Sequence, residues 1–353
     1  MLRFPLGLEM TAVDLDPRPI LRPATLDPHG VPTASPLRSA LPAGTACMTL
    51  SNTMLRLDLV PALGGGLTRF DWLGGTNPVP VFRRCETPGP DTNLDQLACY
   101  PLLAHSNRID DGRSHFAALA AGVPKNLSNE LPPVHRDGWL PAWQVEHASA
   151  CYARLTLDRT DDAPYAYRAA QTVVLDRTTL HIRLNIENTG HEPLPFGLGL
   201  HPFLPRDART ELVAPASGLW LPGNDRLPVR HVAAPPAWRF GVTYPLPDTL
   251  VNHAFSGWGG RTSVTWPTRR LSLSIEADTD YYVLYAPPGE DYFSFEPVDH
   301  PIDAVNLPGG GSAHGMTVLA PGESLARRFT FTVERCGVRT STRARAFNNQ
   351  EQQ

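Results

Sequence analysis

Phe196–Asp207 reads FGLGLHPFLPRD, a histidine held between an alternating glycine run and a proline. An imidazole titrates near neutral pH and can give or take a proton. Pro202 biases His201 toward extended backbone, and Gly197 and Gly199 leave space for another part of the chain to come close. The ring is therefore positioned rather than loose. Nearly a hundred residues later, Asp291–Asn306 reads DYFSFEPVDHPIDAVN, with Glu296 at the end of an aromatic strand candidate and just before Pro297. A carboxylate in such surroundings is partly desolvated and makes a better base near neutral pH. An acid and a base on separate stretches are the minimum equipment for moving protons on and off a small molecule. Each also has a plainer account, a histidine satisfied within its fold and a glutamate on a sandwich rim. Asp299, His300 and Asp303 read as loop residues.

Two further stretches carry polar groups suited to sugar hydroxyls. In Cys99–Phe116, CYPLLAHSNRIDDGRSHF, Arg108 stands between an apolar run and the turn Asp110-Asp111-Gly112. Its planar fork of donors suits hydroxyls or a carboxylate, although pairing with Asp110 or Asp111 at the surface explains it equally. In Pro132–Trp143, PPVHRDGWLPAW, His135 precedes a turn flanked by Trp139 and Trp143. Aromatic faces beside polar donors fit a carbohydrate; a turn histidine and two core tryptophans fit as well. Common signatures are missing: no G-x-G-x-x-G after a strand, no Walker loop, no H-E-x-x-H and no G-x-S-x-G. Gly309–Gly311 follows Pro308 and reads as loop.

The elements that must hold these groups are strands. Alternation is cleanest in Leu180–Glu187, and Leu55–Leu59, Leu67–Trp72, Leu271–Ala277, Tyr281–Tyr285, Tyr292–Phe295 and Arg328–Val333 follow the same logic. The chain has 353 residues, and its 37 prolines and 28 glycines are spread between short apolar runs as turn formers. The best helix candidate is short, Leu94–Leu103. Many strands without alternating helices predict an all-β, antiparallel sandwich or barrel over 44–336. The Pro-rich stretch 1–43 reads as an extended or disordered arm, and 337–353 as a polar tail. A formal net charge of −4 gives no reason to expect nucleic acid or an anionic membrane as partner. Five dispersed cysteines without C-x-x-C predict neither a disulfide framework nor a zinc site. With no leader and no long apolar run, a cytoplasmic protein is expected. Oligomeric state has no signal.

Taken together and in order, CYPLLAHSNRIDDGRSHF, HRDGW with PAW, FGLGLHPF, VNHAFSGW, YAPPGEDYFSFEPV, DAVN and LAPGES resemble the aldose 1-epimerase (galactose mutarotase) superfamily across 45–334. They look most like a bacterial branch with P-L-x-x-x-S-N-R-I and H-x-x-G-W. The resemblance implies a large antiparallel β-supersandwich and interconversion of the α and β anomers of a free aldose, with no metal or cofactor. It implies that Glu296 removes the C1 hydroxyl proton, that His201 protonates the ring oxygen, and that Arg108 and His135 hold the sugar. Asn252 stands where the family usually has a sugar-contacting aspartate, Arg136 replaces a usual glycine, and Ala104 replaces an arginine of the G-R-x-x-N-R-I form. These departures bear on which sugar is taken. A hexose-phosphate 1-epimerase is the neighbouring alternative, drawing on Arg108, Arg136, Arg206 or Arg209; a non-catalytic carbohydrate-binding module is another. The main reading predicts His201 and Glu296 in one open pocket, a sugar ring apart, with Arg108 and His135 on its wall.

Overall fold

The computed structural model describes residues 47–89, 92–107, 141–159, 165–223 and 227–336. The arm 1–43, the tail 337–353, and Arg108, His135, Arg136 and Trp139 lie outside those residues. Where alternation is cleanest in sequence, the chain forms the strand Thr179–Asn188, and every second side chain is buried. It pairs antiparallel with Tyr167–Asp176 on one side and Ser324–Arg335 on the other. Among the described residues this sheet has nine strands, and a second sheet has eleven. At the centre of the second run, side by side, Cys99–Leu102, Gly199–Pro205, Tyr292–Val298, Tyr281–Ala286 and Val251–Ser256. Each is antiparallel to the next.

The two sheets pack face to face around one apolar core. Leu200, Leu204, Phe293, Phe295 and Leu284 meet Ile182, Leu184, Phe329 and Phe331 in a continuous cluster. Fully burying a side chain of this size contributes about 1.5–3 kcal/mol. The Trp266 indole N–H crosses between the sheets to the Pro205 carbonyl at 2.7 Å. The all-β, antiparallel β-supersandwich expected from the sequence is the observed architecture. The second sheet is also covered on its other face, where Tyr100, Leu102, Phe203, Ala254, Val283 and Val298 form a separate cluster. Its central strands are therefore buried on both sides: all seven residues of Gly199–Pro205 are buried.

Three local expectations are corrected. Leu94–Leu103 is not a helix but a 3-10 turn, Leu94–Gln96, followed by the strand Cys99–Leu102. Pro101 could not donate inside a helix, and the buried run gains partners on both edges as a strand. Glu296 does not end its strand, which continues through Pro297 to Val298 with neighbours on both sides. Gly310–Ala313 forms one helical turn where a loop was expected.

Candidate active site

Strand register brings His201 and Glu296 together. Gly199 pairs with Val298 and Phe203 with Ser294, which sets His201 opposite Glu296 on the adjacent strand. Both are followed by proline, and the ladder between the two strands lapses at 200–202 before resuming at Phe203. Pro202 and Pro297 lack the N–H groups that a regular ladder would use. Across the lapse, His201 Nε2 lies 3.2 Å from Glu296 Oε1. Both residues are almost wholly enclosed, His201 8% and Glu296 4% exposed.

Neighbouring strands hold the pair in place. Tyr100 is the cross-strand partner of His201, and their rings stack at 4.6 Å. Phe203, two residues on and on the same face, packs against the imidazole at 4.5 Å. The Arg83 guanidinium covers Phe203 at 4.0 Å and Tyr292 at 4.3 Å. Ser294 donates its hydroxyl hydrogen bond to Glu296 Oε1 at 2.7 Å, fixing the carboxylate oxygen that faces His201. Further along the same sheet opens a cleft of about 390 Å³, lined by Trp220, Asn252, His253, Ala254, Tyr285 and Ile302 among others. Asn252 belongs to the strand two removed from Glu296, roughly 10 Å across the sheet. Neither His201 nor Glu296 lines this cleft, so the open pocket expected around the pair is not what the described residues show.

At one end of these strands three chain segments converge. After Cys99–Leu102 the buried residues Leu103–Asn107 pass over the start of the His201 strand, with the Gly197 amide donating to the Ala104 carbonyl at 2.8 Å. After Val298, Asp299 turns back, and its Oδ2 accepts the Leu198 amide at 2.9 Å while Oδ1 meets Arg327 Nε at 2.6 Å. His300, 1% exposed, fills the remaining space. Its Nδ1–H donates to the Pro301 carbonyl at 2.8 Å and its Nε2 accepts the Ser106 amide at 3.0 Å. Burial pushes the His300 ring down to about 4 and raises the Asp299 carboxyl to about 6, against the opposite pull of Arg327 and the Leu198 amide. A Cβ on Gly197 would overlap the His300 ring, and one on Gly199 would lie 2.9 Å from Val298 and 3.1 Å from Ser106. The two glycines are there for space.

The aldose 1-epimerase family model matches residues 46–332. The chain belongs to the aldose 1-epimerase family. Among its relatives, the Escherichia coli (strain K12) protein YphB, itself uncharacterized, is 30% identical over 297 residues, 81% of this chain and 98% of YphB. A crystal structure of an Escherichia coli K12 protein, named provisionally as an aldose 1-epimerase, superposes with a TM-score of 0.75 at 29% identity. That superposition covers 83% of this chain and all of the other. The galactose 1-epimerase of Lactobacillus acidophilus NCFM shares the fold, with a TM-score of 0.67 at 17% identity over 85% of this chain and 98% of its own.

Against this family background, the structure brings together His201 and Glu296 and puts Asn252 in the adjoining cleft. Arg108 and His135 fall outside the described residues, although Ser106 and Asn107, just before Arg108, are buried beside the His201 strand. Trp143 is a core residue, packed in the main cluster against Gly65, as its plainer account had it. Arg206 gives its guanidinium to the Pro287 and Pro247 carbonyls, both at 2.9 Å, and so serves the fold. Sequence reading missed Tyr100, Phe203, Ser294 and His300. The i, i+2 spacing of Ser294 and Glu296 on one strand, and the His-Pro pair repeated in DHP, were the signals that could have found two of them.

Proposed function

We propose that the protein is an aldose 1-epimerase that interconverts the α and β anomers of a free aldose, with Glu296 as base and His201 as acid. Ring opening takes a proton from the C1 hydroxyl and adds one to the ring oxygen. Glu296 receives the first as the C1–O5 bond breaks, and protonated His201 supplies the second, leaving an open-chain aldehyde with no net change in protons. Rotation about C1–C2 offers the other carbonyl face. On closure O5 attacks C1, His201 recovers the proton from O5, and Glu296 returns its own to the new C1 oxygen. Each positioned acid or base contributes about 10²–10⁴-fold in rate, and holding the ring against both adds orientation.

The observation carrying this reading is the contact of 3.2 Å between the two side chains. A separation of one sugar ring was expected, and the chemistry explains the closer approach. The two oxygens that exchange protons are both bonded to C1, so they are nearer each other than hydrogen-bonded atoms are. Groups that serve both can therefore lie close together. Asn252 in the cleft is well situated to read hydroxyls further round the ring, and a cleft near 390 Å³ falls within the range of small-molecule sites, about 300–1,000 Å³.

The test is polarimetry on freshly dissolved single anomers of glucose, galactose, xylose, arabinose and common deoxy sugars. Acceleration of at least one is expected; none across the panel overturns the reading. A glucose 6-phosphate arm addresses the phosphate alternative, which loses Arg206 as a contributor because that side chain is committed to two carbonyls.

A further inference from the structure

We propose that Ser294 is a positioning residue for the proposed base, holding Glu296 through the hydrogen bond that its hydroxyl donates to Oε1 at 2.7 Å. The inference rests on the epimerase reading and deepens it by one residue outside the reacting pair. Ser294 stands two residues before Glu296 on the strand Tyr292–Val298 and so shares its face of the sheet. Phe293 and Phe295 point the other way, into the main core. The cross-strand partners of Ser294 are Phe203 on one side and Tyr285 on the other, and the residue is fully buried. A hydroxyl in such surroundings costs free energy unless it is hydrogen-bonded, and an alanine would fill most of the same place without that cost. The serine is accounted for by what it donates to.

Ser294 Oγ and His201 Nε2 address the same carboxylate oxygen, the first at 2.7 Å and the second at 3.2 Å. They differ in what the reaction asks of them. His201 has to deliver its proton to the ring oxygen, so its contact with Oε1 is given up and remade in every turnover. The serine hydroxyl takes no part in the proton balance and holds Oε1 through both halves of the cycle. A carboxylate so nearly enclosed also needs donors if it is to stay charged, and a charged base is what ring opening requires. Removing the hydroxyl takes away the tether that does not move with the proton. The contribution of Ser294 is to the place and charge of Glu296, and it passes no proton itself.

Three substitutions separate this role from packing. Ser294→Ala removes the hydroxyl; Ser294→Cys keeps the volume with only a weak donor; Ser294→Thr keeps the hydroxyl and adds a methyl. For each, kcat and KM are measured by polarimetry on the sugar that wild type turns over fastest, and the Glu296 carboxyl carbon is followed by NMR, assigned by its loss in Glu296→Gln. Ser294→Ala and Ser294→Cys are expected to lower kcat about tenfold, the effect of one hydrogen bond to a charged group, with KM within about twofold and a displaced carboxyl signal. Ser294→Thr stays near wild type in all three readouts. Wild-type kcat in Ser294→Cys overturns the proposal, because volume then suffices. So does a carboxyl signal unmoved in Ser294→Ala, a moved signal with kcat unchanged, or a folded Ser294→Thr as slow as Ser294→Ala. Should Ser294→Thr fail to fold, Ser294→Ala and Ser294→Cys decide between them. A wild-type protein inert on every sugar, whose carboxyl signal still follows the hydroxyl, overturns the link to catalysis through the epimerase reading itself.

Discussion

Thr179–Asn188 and Gly199–Pro205 are near neighbours in sequence and opposite in kind. The first buries alternate residues and turns the others toward solvent; the second is buried at every position. A strand packed on one face needs only apolar residues at every second place, and its polar face can vary freely. A strand packed on both faces has to specify each residue. Here the inner face, Leu200 and Leu204, joins the core, while the outer face carries His201 and Phe203 against Tyr100. The scaffold strand is about stability, and the doubly covered strand is where a polar side chain can be held in a dry, fixed setting.

Substitutions on the two strands should therefore separate rate from stability. The largest effect is expected at the pair: Glu296→Gln lowers the mutarotation rate by about 10²–10⁴-fold while leaving the melting temperature and most of the sugar affinity in place. Polarimetry beside a thermal melt reads this, and a fully active Glu296→Gln protein would break the contrast. Next is the scaffold. Leu184→Ala removes a core side chain and should cost about 2–5 kcal/mol in denaturant unfolding, with kcat of the folded fraction unchanged.

The smallest effect concerns acid. His300 has its folded pKa depressed to about 4 by burial, so the stability it confers is present above its unfolded value near 6.5 and is lost as pH falls toward 4. Wild type should lose on the order of 3 kcal/mol relative to His300→Gln across that window. His105 beside the ring, and the neighbouring Asp299 with its partner Arg327, are common to both proteins. Parallel stability curves for the two proteins would show that His300 does not titrate there.

Legibility followed the same divide. Strands with a solvent face announced themselves by alternation, as at Leu180–Glu187. Cys99–Leu102 did not, because a run buried on both faces has no period to read, and its apolar residues fit a short helix equally well. His201 and Glu296 were legible from composition and order, yet their separation was misjudged, since nothing in the chain states which strands adjoin. His300 looked like a loop residue because its meaning lies in Ser106 and Gly197, both remote in sequence. Asn252 was legible only as a departure from a family pattern.

The placement of His201 opposite Glu296 has an evolutionary consequence. Side chains on a strand alternate between faces, so a slip of one residue would send the imidazole into the core and bring Leu200 or Pro202 outward. The spacing between proposed acid and base is thus inherited from sheet register and is indifferent to the lengths of surrounding loops. On this reading, substitution at a peripheral residue such as Asn252 leaves the proton-transfer spacing unchanged.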